Sequence, residues 1–354
     1  MRVKMFEALK STNGPILVTG NTGFKGAWLT QVLDFLGISH VGVALPPEKN
    51  SLFEVTGLLT KKSLFLDLRN FGQLLEILEE HKPVAVIHLA AQPLVLEAYK
   101  NTLDTFSNNV MSTVTLLEAL RRTHSVRAVG VVTTDKVYEN SNERKKFIEG
   151  DRLKGIDPYS CSKVAVESVV DAYRNIFYEN HGPRLMSFRA GNVIGGGDVG
   201  ANRLIPDAVR AHLSEVPMQV RNSTSTRPWL HVIDPLIGYL LAIEHMLEER
   251  EPVDALNFGP QNQENMSVRE LLNILQSNFE FEFEEKISTF LAYEAKYLNL
   301  NSSRSEKVLG WKPVFNSRDA INLTAEWWNR YFAGENARTI CQQQIETALN
   351  LYKR

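Results

Sequence analysis

The fold of this chain is decided by the stretch Ile16-Leu17-Val18-Thr19-Gly20-Asn21-Thr22-Gly23-Phe24-Lys25-Gly26. Its first four residues form an apolar run with β-branched side chains, which is typical of a buried strand. Three glycines spaced Gly-x-x-Gly-x-x-Gly follow, and they lead into an apolar-periodic stretch that reaches Phe35. The pattern therefore predicts a strand, a glycine turn and a helix.

A glycine turn between a strand and a helix is a common phosphate-binding element. Gly20, Gly23 and Gly26 allow positive φ and let the backbone approach a pyrophosphate closely. Unpaired N–H groups at the start of the helix, which holds Phe24 and Lys25, then meet the negative charge. The spacing differs from the Gly-x-Gly-x-x-Gly of the usual dinucleotide fingerprint, and a plain tight turn is the alternative. We predict that these residues bind a dinucleotide cofactor.

Further apolar runs recur along the first half of the chain and alternate with helical patterns. The strand-like runs are Val41–Ala44, Leu64–Leu66, Val84–Leu89, Ala128–Val132 and Leu185–Phe188, and the helical patterns are Phe71–Glu80, Val110–Arg122 and Tyr159–Tyr178. Strands that alternate with helices indicate an α/β fold, a Rossmann-type doubly wound parallel sheet. In such sheets ligands bind at the carboxyl ends of the strands.

The chain divides into two parts of different regularity. Residues 1–190 hold the alternating pattern and form the predicted dinucleotide-binding Rossmann domain. After about Asn192 the pattern weakens, and polar loops mix with helices such as Pro235–Leu247. We expect residues 191–354 to form mainly a smaller C-terminal substrate-binding domain, with some chain returning to the Rossmann core. The last stretch, from Ala337, is expected to be a polar helix that covers the core.

Bulk composition excludes several classes of protein. The 354 residues are 44% hydrophobic, and 39 basic and 41 acidic residues leave a net charge of −2, so no basic excess recruits nucleic acid or an anionic membrane. The two cysteines, Cys161 and Cys341, are too few for a disulfide framework. No apolar run approaches the roughly 20 residues of a membrane span, and no cluster has metal-ligand spacing. We expect a cytoplasmic protein with no nucleic-acid, membrane or metal partner.

Acid–base residues follow the predicted strand Ala128–Val132. Thr133-Thr134-Asp135-Lys136-Val137-Tyr138 sets a carboxylate beside an amine, and Tyr159 and Lys163 follow with i, i+4 spacing. A phenol has a reference pKa of about 10, but an ammonium one helical turn away favours the phenolate. The alternatives are a surface tyrosine covered by a lysine stem and a solvated Asp-Lys pair. The combination predicts redox chemistry together with acid–base chemistry.

These motifs together resemble a known family over nearly the whole chain. The resemblance to the extended short-chain dehydrogenase/reductases lies in Thr19-Gly20-x-x-Gly23-x-x-Gly26, Asp67-Leu68-Arg69, His88-Leu89-Ala90-Ala91-Gln92, Asn109 and Tyr159-x-x-x-Lys163. Within that superfamily the chain is similar to the CDP-glucose 4,6-dehydratases in Thr22-Gly23-Phe24-Lys25-Gly26, Leu52-Phe53-Glu54, Asp135-Lys136-Val137-Tyr138, Arg189-Ala190-Gly191-Asn192, Arg203-Leu204-Ile205-Pro206-Asp207, Arg227-Pro228-Trp229 and Leu309-Gly310-Trp311-Lys312-Pro313. Asp135-Lys136 is the distinguishing mark, because the other sugar-nucleotide 4,6-dehydratases have Asp-Glu there.

The resemblance implies an internal redox dehydration of a nucleotide-activated hexose, CDP-D-glucose in these relatives. Tyr159, as the phenolate supported by Lys163, would take the C4 hydroxyl proton while a hydride passes to NAD, and Thr134 would hold the C4 oxygen. Asp135 and Lys136 would share the acid and base roles in removing water across C5 and C6, with their division of labour open. The hydride would return to C6 and give a 4-keto-6-deoxy sugar.

The resemblance also implies the remaining cofactor residues. Asp67 and Leu68 match the segment that holds the adenine, although Asp67 could instead cap a helix. Ala90 and Ala91 match the segment that lines the pyrophosphate and ribose, although small residues at a strand end could simply pack. Tyr159 and Lys163 complete the cofactor side.

Four residues are implied on the substrate side: Gln92, Asn192, Arg203 and Arg227. The two arginines offer paired donors that suit a diphosphate. His88 follows an apolar run, and we predict a core or turn histidine with no ligand role. The resemblance further implies a homodimer formed through the helices that contain Val110–Arg122 and Tyr159–Tyr178.

Two questions stay open at the level of the sequence. The second strand runs into Val43-Ala44-Leu45-Pro46-Pro47 without the acid that usually holds the ribose hydroxyls of NAD. We favour NAD, because the hydride is recycled within one turnover and no arginine follows the strand, and NADP is not excluded. A 4-epimerase or ketoreductase of the same fold needs only the Tyr159 and Lys163 pair, and a non-catalytic NAD-binding protein is the third alternative.

Overall fold

The structure is a computed structural model that describes residues 5–60, 62–142, 145–179, 182–220, 223–260, 266–285, 295 and 297–353. Its strands are β1 (Ile16–Thr19), β2 (His40–Ala44), β3 (Ser63–Phe65), β4 (Ala85–His88), β5 (Ala128–Val132), β6 (Lys146–Phe147), β7 (Arg184–Ala190), β8 (Val193–Ile194), β9 (Met218–Val220), β10 (Thr226–Arg227), β11 (Leu230–His231), β12 (Ala255–Phe258), β13 (Met266–Ser267), β14 (Phe283–Glu285) and β15 (Asn299–Leu300).

Helices connect and cover these strands. They are α1 (Glu7–Lys10), α2 (Phe24–Leu36), α3 (Leu52–Val55), α4 (Phe71–His81), α5 (Val95–Lys100), α6 (Thr102–Phe106), α7 (Ser112–Arg121), α8 (Pro158–Ala172), α9 (Leu204–Ser214), α10 (Ile233–Leu247), α11 (Val268–Gln276), α12 (Ser303–Leu309), α13 (Ser317–Phe332) and α14 (Ala337–Tyr352). Within the described ranges, no helix is long and apolar enough to cross a membrane.

The main sheet has seven parallel strands in the order β12-β7-β5-β4-β1-β2-β3. The chain steps from β1 towards β2 and β3 on one side, and towards β4, β5 and β7 on the other. The predicted doubly wound parallel sheet is therefore confirmed. In such a sheet the reversal of strand order beside β1 opens a crevice at the carboxyl ends of the strands.

Both faces of the sheet are buried, which explains why its strands read as continuous apolar runs. Successive side chains point to opposite faces. Ile16 and Val18 pack into one apolar cluster with Trp28, whereas Leu17 packs into the other with Leu116. Helices cover both faces of the sheet.

The predicted elements agree with the structure, apart from some of their ends and one strand. β1 and β5 end where the sequence places them, whereas the helices that contain Val110–Arg122 and Tyr159–Tyr178 each include a π-helical turn, Ser107–Met111 and Tyr173–Phe177. The sequence analysis did not include β12, which pairs with β7 at the edge of the main sheet. The C-terminal helix expected from Ala337 is present as α14 and packs on α2 and α13.

The second half of the chain forms small two-stranded sheets beside the main one. β8 pairs with β11, β9 with β14, β10 with β13, and β6 with β15. The larger apolar cluster runs without a break from the main sheet into α10, α11 and α13. In this packing, β8 and β11 contact α13, and β11 also contacts α10.

Candidate active site

The glycine turn brings the start of α2 tightly against the end of β1. Gly20 has φ 72°, and a Cβ at this position would lie 2.7 Å from the backbone nitrogen of Ala90. A Cβ on Gly26 would lie 2.1 Å from the Gly20 carbonyl oxygen. Gly23 is exposed at the start of α2, and its Cβ would stand 3.4 Å from that same oxygen. Gly20 and Gly26 thus have no room for a side chain, and the turn fits a dinucleotide pyrophosphate.

In the segment after β3, Asp67 does not cap the following helix. Arg69 Nε donates to Asp67 Oδ1 at 2.9 Å, and this hydrogen bond from Arg69 holds the pKa of Asp67 below its usual range. The cap of α4 is Asn70, whose side chain accepts from the Gln73 backbone at 3.2 Å, so the helix-cap alternative for Asp67 is wrong. Leu68 is buried beneath the sheet edge. A cofactor role for Asp67 and Leu68 stays a prediction.

Ala90 and Ala91 follow β4, and the Ala90 backbone lies against Gly20. The Ala90 backbone N–H donates to Thr19 Oγ1 at 3.3 Å. Thr19 also shares a 2.7 Å hydrogen bond with His88 Nδ1, while His88 Nε2 lies 3.1 Å from Thr113 Oγ1. Burial lowers the pKa of His88 to about 3, so the ring is neutral. The predicted core histidine is confirmed, and it braces the strand end that carries the two alanines.

Thr134, Asp135 and Lys136 leave β5 in a single tight turn. Thr134 Oγ1 donates to Asp135 Oδ1 at 3.1 Å and accepts from the Lys136 backbone at 3.3 Å. Asp135 is only 4% exposed, and burial raises the pKa of its carboxyl above the usual range, against the nearby positive charge of Lys136. A Cβ on Gly191 would lie 1.8 Å from Asp135 Oδ2, so this glycine lets the end of β7 approach the carboxyl. For Asp135, the solvated-loop alternative is wrong.

Tyr159 enters the site from the first turn of α8. Asp157 caps this helix by accepting from the Ser160 backbone at 3.0 Å, and the Ser160 hydroxyl bonds back to Asp157. The helix therefore begins in front of the β5 end, where the Tyr159 hydroxyl hydrogen-bonds Thr134. Tyr159 and Lys163 are both buried, so the surface-tyrosine alternative is also wrong.

Burial dominates the electrostatics of this pair. Burial raises the pKa of Tyr159 to about 12, although its hydrogen bond with Thr134 lowers it. Burial also lowers the pKa of Lys163 to about 8, and its ammonium donates to the Val132 carbonyl at 3.1 Å. The role of Lys163 in favouring the Tyr159 phenolate stays a prediction.

Lys25 belongs to the same group of side chains. Burial lowers the pKa of Lys25 to about 8, the positive charges of Arg203 and Lys163 lower it further, and Asp135 opposes them. The sequence analysis assigned Lys25 to the cofactor. The charges that act on it belong to Asp135 in the turn after β5, to Lys163 and to Arg203 on the predicted substrate side. It lies where the two halves of the site meet.

The two predicted arginines approach the same turn from the second half of the chain. Arg203 Nη1 donates to both carboxylate oxygens of Asp198, at 2.9 and 3.1 Å, and its charge favours ionised Tyr159. Arg227 is buried on β10, and its charge favours ionised Asp135. The structure thus brings both cations to the catalytic residues, where an anionic ligand would be attracted.

The other two predicted substrate residues have structural contacts. Asn192 adopts a left-handed conformation with φ 47°, and its carbonyl accepts from Leu230 at 3.1 Å, which joins β8 to β11. Gln92 Nε2 donates to Thr105 Oγ1 at 2.8 Å, and its backbone N–H donates to Asn109 Oδ1 at 2.7 Å. The Gln92 side-chain amide is thus hydrogen-bonded to another residue of the protein. Substrate roles for Asn192 and Gln92 stay predictions.

Sequence reasoning missed one buried pair beside the site, Glu167 on α8 and Arg189 on β7. Their side chains are 2.9 Å apart and almost fully buried. The signal was available, because an acid beside Val166 and Val170 on the apolar face of a helix needs a cationic partner. Which residue supplies the partner could be found only in three dimensions.

The comparisons with known proteins agree with this geometry. Residues 16–259 match the sequence model described as the NAD dependent epimerase/dehydratase family. The chain belongs to this family. It is 36% identical over 343 residues to the CDP-glucose 4,6-dehydratase of Salmonella typhimurium, with 93% of this chain and 94% of that protein covered. It is 27% identical over 330 residues to the UDP-glucose 4-epimerase of Rhizobium meliloti, with 90% and 97% covered.

Solved structures share the fold. The dTDP-glucose 4,6-dehydratase of Bacillus anthracis, solved in complex with NAD, superposes with a TM-score of 0.73 at 21% identity, covering 90% of this chain and 97% of the other. At that identity the likeness establishes the fold alone. No group of three or more potential metal ligands occurs among the residues that the structure describes.

Proposed function

We propose that this chain is a sugar-nucleotide 4,6-dehydratase that converts CDP-D-glucose to CDP-4-keto-6-deoxy-D-glucose and water. The observation that supports it most is the buried Asp135 carboxyl next to Lys136, in a turn that also hydrogen-bonds Tyr159 through Thr134. An epimerase needs the tyrosine but no acid and base for elimination. The identity to the Salmonella typhimurium CDP-glucose 4,6-dehydratase over nearly the full length points the same way.

The first step oxidises C4 of the sugar, which loses a hydride from C4 and a proton from the C4 hydroxyl. When bound, NAD supplies the oxidant that takes the C4 hydride and gives it back at C6. Gly20, Gly23 and Gly26 would hold its pyrophosphate. Tyr159 takes the C4 hydroxyl proton, and Thr134 and Arg203 are groups on this chain that lower its pKa against the effect of burial. Thr134 also holds the C4 oxygen in this scheme.

The second step eliminates water across C5 and C6. The 4-keto group makes the C5 proton acidic, so elimination needs a base at C5 and an acid at the departing C6 oxygen. Burial raises the pKa of Asp135, which favours the acid role for its carboxyl. Lys136 then takes the C5 proton. We propose this division of labour for the two residues whose roles the sequence left open.

The substrate diphosphate would lie between the two halves of the chain. Arg203 and Arg227 lie in the second half and act electrostatically on Tyr159 and Asp135 in the first. A diphosphate held by both arginines would set the attached sugar over the catalytic turn. NAD and the sugar nucleotide would then approach from opposite sides, with Lys25 between them.

We further propose that the working form is a cytoplasmic homodimer. Four large apolar side chains on or beside α6, α7 and α8 are exposed: Leu103 84%, Met111 49%, Ile176 73% and Phe177 46%. A second copy that packs its own α7 and α8 against them would remove this apolar surface from water. Both cysteines are free thiols, which suits a reducing compartment.

Mass spectrometry of purified protein with NAD and four glucose nucleotides tests the function. We expect loss of the mass of one water from CDP-glucose, with slower or no reaction of the UDP, dTDP and GDP compounds, and no net reduced nicotinamide. Tyr159→Phe is the inactive control. Conversion without loss of water would support the epimerase alternative, and NAD binding with no conversion of any compound would contradict the proposed enzyme.

A further inference from the structure

A buried ion pair lies next to the catalytic residues and contacts the segments that carry them. Glu167 is on α8, one turn after Lys163, and Arg189 is on β7. Arg189 Nε and Nη2 each donate to one carboxylate oxygen of Glu167 at 2.9 Å, which is the two-pronged arrangement of a strong pair. Apolar residues of similar volume often replace a buried ion pair without loss of stability. Stability alone therefore does not account for this one.

The pair is hydrogen-bonded to the two residues that flank the catalytic turn, Thr134–Val137. Thr133, which precedes the turn, donates from Oγ1 to Glu167 Oε1 at 2.6 Å. Tyr138, which follows it, accepts from Arg189 Nη1 at 3.0 Å. The residues between these two anchors, Thr134–Val137, include the proposed acid and base. A shift of the pair would thus move both ends of the turn.

The network continues away from the site into β12 and the loop before α8. The Tyr138 hydroxyl donates to Asn257 Oδ1 at 2.7 Å, and Arg189 Nη1 also donates to the Glu149 carbonyl at 3.0 Å. Glu149 in turn accepts from the Asn257 backbone at 2.8 Å. Each of these groups has a hydrogen-bond partner within the protein. Internal contacts therefore hold the arrangement, and no substrate is needed to complete it.

The pair also acts electrostatically on the lysine of the site. Burial lowers the pKa of Lys163 to about 8, and the negative charge of Glu167 raises it. Burial alone would raise the pKa of Glu167, but the bonds from Arg189 and Thr133 hold it below its usual range. Glu167 is thus ionised and supports the ammonium form of Lys163 one helical turn away.

We propose that Glu167 and Arg189 are positioning residues, which hold the Thr134–Val137 turn in register with Lys163 on α8. Arg189 joins β7 to this arrangement, two residues before the Gly191 that packs on Asp135. Neither member of the pair touches substrate or cofactor in the reaction proposed above. The kinetic part of the proposal rests on that reaction, and the structural part does not.

Steady-state kinetics of three variants test the role. In Glu167→Gln we expect kcat to fall on the order of 10²-fold, because small misplacements of catalytic groups have such effects, while KM stays near that of wild type. Lys163 loses its proton at lower pH there, so the high-pH decline of kcat moves to lower pH. Glu167→Asp keeps the negative charge, so we expect the high-pH decline of kcat to occur where it does in wild type, with part of kcat restored. Arg189→Lys loses the paired donors and lowers kcat without that pH shift.

Hydrogen–deuterium exchange supplies a readout that needs no substrate. We expect faster exchange in residues 133–138 of Glu167→Gln, with β1 and α14 exchanging as in wild type. Tyr352→Phe is the matched control, because it removes a buried hydrogen bond to Asp234 and leaves the catalytic turn untouched. Unchanged exchange of residues 133–138 or an unmoved pH limb in folded Glu167→Gln would overturn the positioning role. If wild type converts no sugar nucleotide, the proposed function fails and the exchange result still decides this inference.

Discussion

The reactivity proposed for Asp135 comes from the groups that enclose it. Its carboxyl is buried between Thr134 and Gly191, and burial raises its pKa despite the positive charges of Lys136, Arg227 and Lys25. A carboxyl in these surroundings can give a proton to a departing hydroxyl. The neighbouring cations then stabilise the carboxylate that is left.

Replacing the acid or the base should separate the two halves of the reaction. In Asp135→Asn and in Lys136→Met we expect reduced nicotinamide to form on mixing with CDP-glucose, while water loss falls on the order of 10²- to 10⁴-fold. In D₂O the two differ, because only Asp135→Asn keeps the base that exchanges the C5 proton of the 4-keto sugar. Stopped-flow absorbance and NMR measure these steps.

Lys154→Met is the control for this pair of variants. Lys154 is an exposed lysine that pairs with Glu139, so its loss should leave both steps as in wild type. Equal loss of hydride transfer and of water loss in Asp135→Asn and Lys136→Met would show that the assignment of acid and base is wrong.

At the residue scale, the sequence identified which side chains meet and missed how their charges balance. The Tyr159 and Lys163 spacing predicted neighbours on one helix face, and both are buried there. The bond from Lys163 to the Val132 carbonyl and the pair of Glu167 with Arg189 depend on strands distant in sequence. Helical periodicity holds no information about them, so only the folded chain shows them.

At the scale of elements, the β1 to α2 connection is the most constrained part of the cofactor side. We expect Gly26→Ala to cost about 1–3 kcal/mol of unfolding free energy, because a Cβ 2.1 Å from the Gly20 carbonyl forces the helix away from the turn. NAD binding should weaken in parallel. Thermal unfolding and fluorescence titration with NAD measure the two effects.

Gly23→Ala is the matched control for the turn. Its Cβ would stand 3.4 Å from the nearest protein atom, so unfolding free energy should stay near that of wild type. The methyl group still faces the predicted pyrophosphate and should weaken NAD binding. If Gly23→Ala binds NAD as tightly as wild type, the phosphate cradle lies elsewhere.

Elements were predictable in proportion to their local regularity. β1, β5 and α4 follow from apolar runs bounded by turn residues, and they occur within a residue of the expected ends. β12 is a run of four residues at the edge of the sheet, where it pairs with β7. Its pattern was too short to predict a strand of the main sheet. The π-helical turns beside α7 and α8 interrupt the regular helix at positions that apolar periodicity does not mark.

At the scale of the whole molecule, the C-terminal helix is tied to the core through a buried carboxyl. Asp234 at the start of α10 accepts from the Tyr352 hydroxyl and from the Val314 backbone, each at 2.8 Å. Burial raises the pKa of Asp234 to about 7. The carboxyl is therefore protonated in the folded chain at acidic pH and ionises at a cost near neutrality.

This carboxyl should make the stability of the fold depend on pH. Because the folded pKa lies above the unfolded value of about 3.9, the stabilising contribution is complete below that value and is lost as pH rises through about 7. Asp234→Asn should shrink the difference in unfolding free energy between pH 5 and pH 8, as urea denaturation would show. Asp254→Asn at an exposed position is the control, and an equal pH dependence in all three proteins would refute the role of Asp234.

The proposed dimer is also a property of the whole molecule. Leu103→Glu and Ile176→Glu put charges on the exposed apolar surface of α6 and the π-helical turn after α8, and we expect both to sediment as monomers. Leu213→Glu is the control, because Leu213 is 67% exposed on α9, away from this surface. Identical sedimentation of all three variants and wild type would place the interface elsewhere or exclude it.

The central claim is an internal redox dehydration, and the most direct test follows one hydrogen atom. CDP-glucose with deuterium at C4 is incubated with the protein and NAD, and the product is examined by mass spectrometry and NMR. The account predicts loss of one water, with the deuterium moved from C4 to C6 of the 4-keto-6-deoxy sugar. Deuterium that stays at C4, or a sugar that keeps its C6 hydroxyl, would contradict it.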